Sequence, residues 1–69
     1  MRQKKILFLG GAFAQIPIIH EARKRGMHIV TCDYMPENPG HRLADEYFNV
    51  STTDFEGVLK LATKVEPDF

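Results

Sequence analysis

The chain opens with a block of apolar positions and then changes period twice. Ile6-Leu7-Phe8-Leu9 is an unbroken apolar run that ends at Gly10-Gly11. Such a run suits a strand covered on both faces, as in a parallel sheet. The two glycines then let the backbone turn tightly. Beyond them the spacing becomes helical. Gln15, Ile18, Ile19, Ala22 and Gly26 fall on one stripe, which predicts a helix over residues 15–25. Pro17 suits its first turn, and His20, Glu21 and Lys24 lie opposite the stripe. Gly26 is the expected stop.

His28-Ile29-Val30-Thr31-Cys32 is rich in β-branched residues and predicts a second strand, ending at Asp33. Two prolines, an asparagine and a glycine between Asp33 and His41 predict an irregular loop. Residues 42–45 are expected to make one short helical turn, and residues 47–50 a third strand. A second helix follows over residues 54–65. Thr53 and Glu56 have capping-box spacing. Phe55, Val58, Leu59, Ala62 and Val65 form its expected buried stripe, with Gly57 on the exposed side. Pro67 ends that helix, and Phe69 reads as the first apolar residue of a fourth strand. The order β-α-β-β-α predicts an α/β fold, a three-layer Rossmann-like open parallel sheet with its fourth strand missing. The expected domain organisation is therefore a fragment of a longer protein. Its fourth strand would pair with the first on the side away from the second. An unpaired edge at residues 6–9 would favour self-association.

Composition narrows the function classes. At 69 residues the chain can build one small core and no second domain; a chain of this size buries only ~60% of its unfolded surface. Nine Lys and Arg balance nine Asp and Glu, so no basic excess points to nucleic acid. Arg23-Lys24-Arg25 reads as a solvated helix end, where cations suit the dipole. Cys32, the single cysteine, has no disulfide partner within the chain, which fits a reducing cytoplasm. It reads as a buried, inert thiol. The first apolar run is too short for a signal segment or a membrane span.

The candidate chemistry lies at the carboxyl ends of the strands, where open α/β sheets receive ligands. A dinucleotide fingerprint asks for three spaced glycines. Gly10 is in place, but Ala12 and Gln15 occupy the next two positions. A phosphate could sit on the amides of residues 12–15 at the helix start. Equally, the turn could touch a small substrate, or the glycines could serve the backbone path alone. Asp33 stands about 20 residues past the glycines, where a dinucleotide fold places a ribose-binding acid; a turn-forming Asp is the plainer reading. His20, His28 and His41 share no metal-ligand spacing. Only His41 is placed near the ligand edge. No nucleophile triad, carboxylate pair or phosphate-loop lysine stands out, so no catalytic or metal-binding residue is assigned.

Phe8-Leu9-Gly10-Gly11, a helix ending at Arg25-Gly26, Ile29-Val30-Thr31-Cys32-Asp33, Pro36-Glu37-Asn38-Pro39-Gly40-His41 and Leu43-Ala44-Asp45-Glu46 occur in this order. Together they resemble the N-terminal domain of ATP-grasp ligases, in particular the group of biotin carboxylase, carbamoyl-phosphate synthase and phosphoribosylaminoimidazole carboxylase ATPase. The resemblance implies a Rossmann-like domain ahead of C-terminal domains that hold ATP and magnesium. It implies a ligase that activates a carboxylate as an acylphosphate for attack by an amine. It also implies that Gly10, Gly11 and Ala12 line the substrate site, with Asp33 at its edge; Phe13, next in the turn, and His41, near the ligand edge, complete the candidate substrate-binding set. Ala12 departs from the family's common third glycine, and Phe13 from a common polar residue. The fragment alone is expected to be inactive. The competing expectations are a small Rossmann-type module for NAD(H) or a mononucleotide, and a pure interaction domain.

Overall fold

The computed structural model describes residues 2–69. Three parallel strands form one sheet in the order β1-β2-β3, with β1 at Lys5–Leu9, β2 at His28–Cys32 and β3 at Glu46–Phe48. Two α-helices, α1 (Ile16–Lys24) and α2 (Phe55–Val65), complete the fold. This is the expected α/β class: an open parallel sheet, Rossmann-like and partial. Alternation along the strands sends side chains to opposite faces. Phe8 and Ile29 pack with Ile19 and Ala22 of α1. Val30 and Cys32 pack with Leu61 and Val65 of α2. The helices therefore cover opposite faces and make three layers. The middle strand, β2, is the best buried, with Ile29, Val30, Thr31 and Cys32 all fully inaccessible. Burial pushes the Cys32 thiol up, as suits an inert group.

Local signals explain most boundaries. Phe13–Gln15 forms a 3₁₀ turn ahead of α1, so the helix proper begins later than its stripe implies. Gly26 closes α1 at a φ of +74°, a conformation other residues rarely take. The basic helix end is tied down locally: Arg23 reaches Asp45 at 3.3 Å, and Arg25 reaches Glu21 at 3.0 Å. The short turn expected at residues 42–45 is a 3₁₀ turn at Pro39–Leu43.

Helix α2 differs from its expected rotation. Its buried residues are Leu61 and Val65, while Phe55 and Leu59 are exposed. Gly57 lies half-buried over Val50 and the Asp54 carboxylate. The cap also differs: Asp54, not Thr53, accepts the Gly57 amide at 3.1 Å. Leu59 instead joins Leu9, Thr52, Phe55, Val58 and Ala62 around an apolar groove of about 310 Å³ beside β1. A second groove, lined by Ile6, Ile18, Ala22 and Met27 among others, opens on the α1 side. Ile18 is thus exposed despite its place in the stripe.

The chain returns to the outer edge of β1 after α2. The Phe69 amide donates to the Lys5 carbonyl at 3.2 Å, and the Leu7 amide donates to the Phe69 carbonyl at 3.0 Å. That is the hydrogen-bond pattern of one parallel rung, with Phe69 opposite Ile6. It lies on the side expected for a fourth strand. Asp68 fixes the rung. Its carboxylate accepts from the Lys5 amide at 2.8 Å and from both terminal nitrogens of Arg2, at 3.0 and 2.6 Å.

Two outcomes follow. Leu61→Ala is expected to cost about 2–5 kcal/mol as a core truncation. Leu59→Ala should stay within about 0.5 kcal/mol. Urea denaturation checks the rotation of α2, and equal losses would argue against it. The second outcome concerns acid. The Arg2 guanidinium and the Lys5 amide hold the Asp68 carboxyl at about 2, against about 3.9 for a free aspartate. A carboxyl depressed in the folded state adds stability above its unfolded value and loses it as pH falls through the folded one. Asp68→Asn should therefore flatten the acid loss of stability between about pH 4 and pH 2. Thermal melts across that window check this; an unchanged slope would count against it.

Candidate functional site

The candidate site forms where β1 and β2 end side by side. Gly10 takes a φ of +106°, and its amide donates to the Cys32 carbonyl at 2.7 Å, which ties the turn to the end of β2. Gln15 then folds back across the turn. Its side-chain oxygen accepts the Ala12 amide at 2.9 Å, and its side-chain nitrogen donates to the Leu9 carbonyl at 2.8 Å. A Cβ on Gly10 would meet that carboxamide at 2.7 Å. Gln15 thus fills the turn that a fingerprint glycine would leave open. Of the amides offered for a phosphate, Ala12 donates to Gln15 Oε1, and Gln15 donates to the Ala12 carbonyl at 3.0 Å. Two of the four amides at residues 12–15 thus bond within the protein.

Asp33 closes the other side. It is only 8% exposed. Its carboxylate accepts the Asn38 side-chain amide at 2.7 Å, the Gly11 amide at 3.2 Å and the Met35 amide at 3.3 Å. Burial pushes this carboxyl up. The hydrogen bonds from Asn38 and the amides of Met35, Gly11 and Tyr34 outweigh burial and hold it below the ordinary range. It is an ionised anchor for two loops, turned into the protein.

His41 stands over the same turn. Its Nδ1 is 2.8 Å from the Thr31 hydroxyl and its Nε2 is 3.2 Å from the Met35 carbonyl. A carbonyl only accepts, so Nε2 is the donor in its contact with Met35. The ring lies 4.1 Å from that of Tyr47, tilted by 38°. The Tyr47 hydroxyl donates to the Asp33 carbonyl at 2.7 Å. Gly40 sits against Gly11 with no room for a side chain. Its amide donates to the Gly11 carbonyl at 2.7 Å, and a Cβ there would lie 2.5 Å from that oxygen.

The structure thus brings all six candidate residues together, in two roles. Gly10, Gly11 and Asp33 are buried and His41 is half-buried, whereas Ala12 and Phe13 are exposed at the lip. Sequence reasoning passed over Thr31, Asn38, Gly40 and Tyr47. Thr31 carried a usable signal, as a lone hydroxyl between apolar residues in a buried strand. Gly40 carried a weaker one, as a glycine between proline and the single edge histidine. The other histidines lie elsewhere: His28 contacts Glu46 at 2.7 Å, and His20 is exposed on α1. Among the described residues no group of three or more His, Cys, Asp or Glu gathers as a metal site. No described helix is long and apolar enough to cross a membrane.

A parallel sheet with helices on both faces and a glycine turn at its carboxyl edge defines a partial Rossmann-like α/β fold. No protein-family model matches the sequence. The chain is 33% identical over 67 residues to the formate-dependent phosphoribosylglycinamide formyltransferase of Prochlorococcus marinus (strain MIT 9515), covering 97% of this chain and 17% of that protein. It is 31% identical over 65 residues to the enzyme of the same name from Bacteroides thetaiotaomicron, covering 94% and 17%. A third, from Prochlorococcus marinus subsp. pastoris, is 32% identical over 66 residues. The chain therefore spans about one sixth of the length of the curated relatives it matches. Their names describe formate-dependent formyl transfer to phosphoribosylglycinamide, and the match is confined to one stretch of each. The enzymes of the group headed by biotin carboxylase are not among these relatives.

Close packing at the two glycines is testable. Gly40→Ala should destabilise by about 1–3 kcal/mol, the usual cost of overpacking. No side-chain deletion can relieve it, because the obstruction is the Gly11 backbone. Gly11→Ala meets the His41 ring at 2.5 Å instead. Its cost should shrink in the His41→Ala background, giving a coupling of at least about 0.5 kcal/mol in a double-mutant cycle. Strict additivity would show that the ring is not what Gly11 accommodates.

Proposed function

We propose that this chain is the substrate-side N-terminal segment of an ATP-dependent carboxylate–amine ligase of the ATP-grasp type. The observation that supports it is the similarity, over nearly the whole chain, to formate-dependent phosphoribosylglycinamide formyltransferases. Those names describe joining a formyl group from formate to an amine-bearing acceptor. A carboxylate is a poor electrophile because it must expel oxide. Conversion to an acylphosphate supplies a leaving group, and the amine then displaces phosphate.

The residues here do not fit a nucleoside triphosphate or its metal ion. No lysine lies between the glycine turn and Arg23, two of the candidate amides bond within the protein, and the described residues hold no cluster of three or more metal-ligating side chains. ATP and magnesium are accordingly assigned to other parts of the ligase. This segment's share is to bind and orient the non-nucleotide, carboxylate-bearing substrate. Ala12 and Phe13 form the exposed wall, and Gly10 and Gly11 permit its path. Asp33 and His41 hold it in place. The remainder of the ligase would continue the sheet at the open edge of β1 and cover the two apolar grooves.

The 69-residue chain with ATP, magnesium and formate or another small carboxylate is expected to release no ADP, and titration with NAD(H), AMP or ATP should show no tight binding. The full-length polypeptide should release ADP only when a carboxylate and an amine acceptor are both present. Turnover by the chain alone, tight NAD(H) binding, or ATP hydrolysis indifferent to both co-substrates would each sink the proposal.

A further inference from the structure

The contacts of His41 carry an inference about how the substrate wall is held. Three segments meet at this ring: the glycine turn, the loop after β2 and strand β3. The ring cannot swing aside easily, because Thr31 and Met35 engage its two nitrogens and Tyr47 lies against its face. Its edge fills the position where any side chain on Gly11 would go. Next to it, the Gly40 amide holds the Gly11 carbonyl at 2.7 Å. Gly11 is therefore gripped on three sides. Asp33 takes its amide, Gly40 its carbonyl, and His41 covers its α-carbon. The two residues that follow, Ala12 and Phe13, are the ones exposed at the lip.

We propose that His41 is a positioning residue: a plate against which Gly11 is seated, so that Ala12 and Phe13 meet the non-nucleotide substrate in one conformation. This rests on the substrate-wall reading given above. Tyr47, which lies against the ring, donates its hydroxyl to the Asp33 carbonyl, and the two ring nitrogens meet the Thr31 hydroxyl and the Met35 carbonyl, so the ring is fixed in both position and direction.

Three variants separate shape from hydrogen bonding. His41→Phe keeps the plate and loses both hydrogen bonds. His41→Gln keeps polar reach and loses the plate. His41→Ala loses both. Amide hydrogen exchange on the 69-residue chain reads the seating without any substrate. In His41→Ala and His41→Gln the Gly40 amide should exchange at least about tenfold faster, by local opening, while the Val30 amide in β2 stays protected. His41→Phe should remain near the parent. In the full-length ligase, His41→Gln should raise KM for the non-nucleotide substrate about tenfold, the scale of a modest misplacement, and leave KM for ATP within about twofold. Unchanged Gly40 exchange in His41→Gln would overturn the positioning role. Faster exchange with both KM values unmoved would overturn the substrate-wall reading instead, and with it the proposal. If His41→Ala fails to fold, the Phe and Gln variants decide the matter alone.

Discussion

Complete burial of Ile29 to Cys32 in β2 is the constraint on which the rest of the structure depends. A strand covered on both faces and paired on both edges has no water for its polar groups, so every one of them needs a partner within the protein. Ile29, Val30 and Cys32 meet this demand by being apolar. Thr31 and Asp33 cannot. Thr31 places its hydroxyl on His41, and Asp33 spreads its carboxylate over the glycine turn and the following loop. The loop that looks irregular in sequence is thereby tied to the end of β1. The site is a by-product of satisfying two buried polar groups at the carboxyl end of a central strand.

The same logic separates what was legible in the sequence from what was not. The strands were legible because runs such as Ile6-Leu7-Phe8-Leu9 and Ile29-Val30-Thr31-Cys32 admit few alternatives. The end of α1 was legible because Gly26 has one ordinary reason to be there. The rotation of α2 was not. Val58 and Val65 belong both to a stripe through Leu59 and to one through Leu61, and period alone cannot choose between them. The choice is made by where Val30, Cys32 and Val50 present their surface. The cap was ambiguous for a similar reason, since Thr53 and Asp54 are both good caps and only the path of the chain decides.

At the candidate site, spacing alone leaves the direction of each residue open. Asp33 was placed by its distance from the glycines, a spacing that fits either a ligand or a loop. The structure turns it inward because Gly11, Met35 and Asn38 converge on it. Gln15 was read as a flaw in a fingerprint. It is a substitute for the missing glycine, since its side chain bonds both arms of the turn. Side-chain hydrogen bonds of this kind have no period and no composition, so they become visible only when the backbone is in place.

The Arg2–Asp68 pair, with Asp68 also on the Lys5 amide, brings the path into β1 and the path out of α2 to a single point on the surface. That point lies on the outer margin of β1, beside the rung at Phe69, so one ion pair holds the approach to the first strand and the exit from the last helix in a fixed relation.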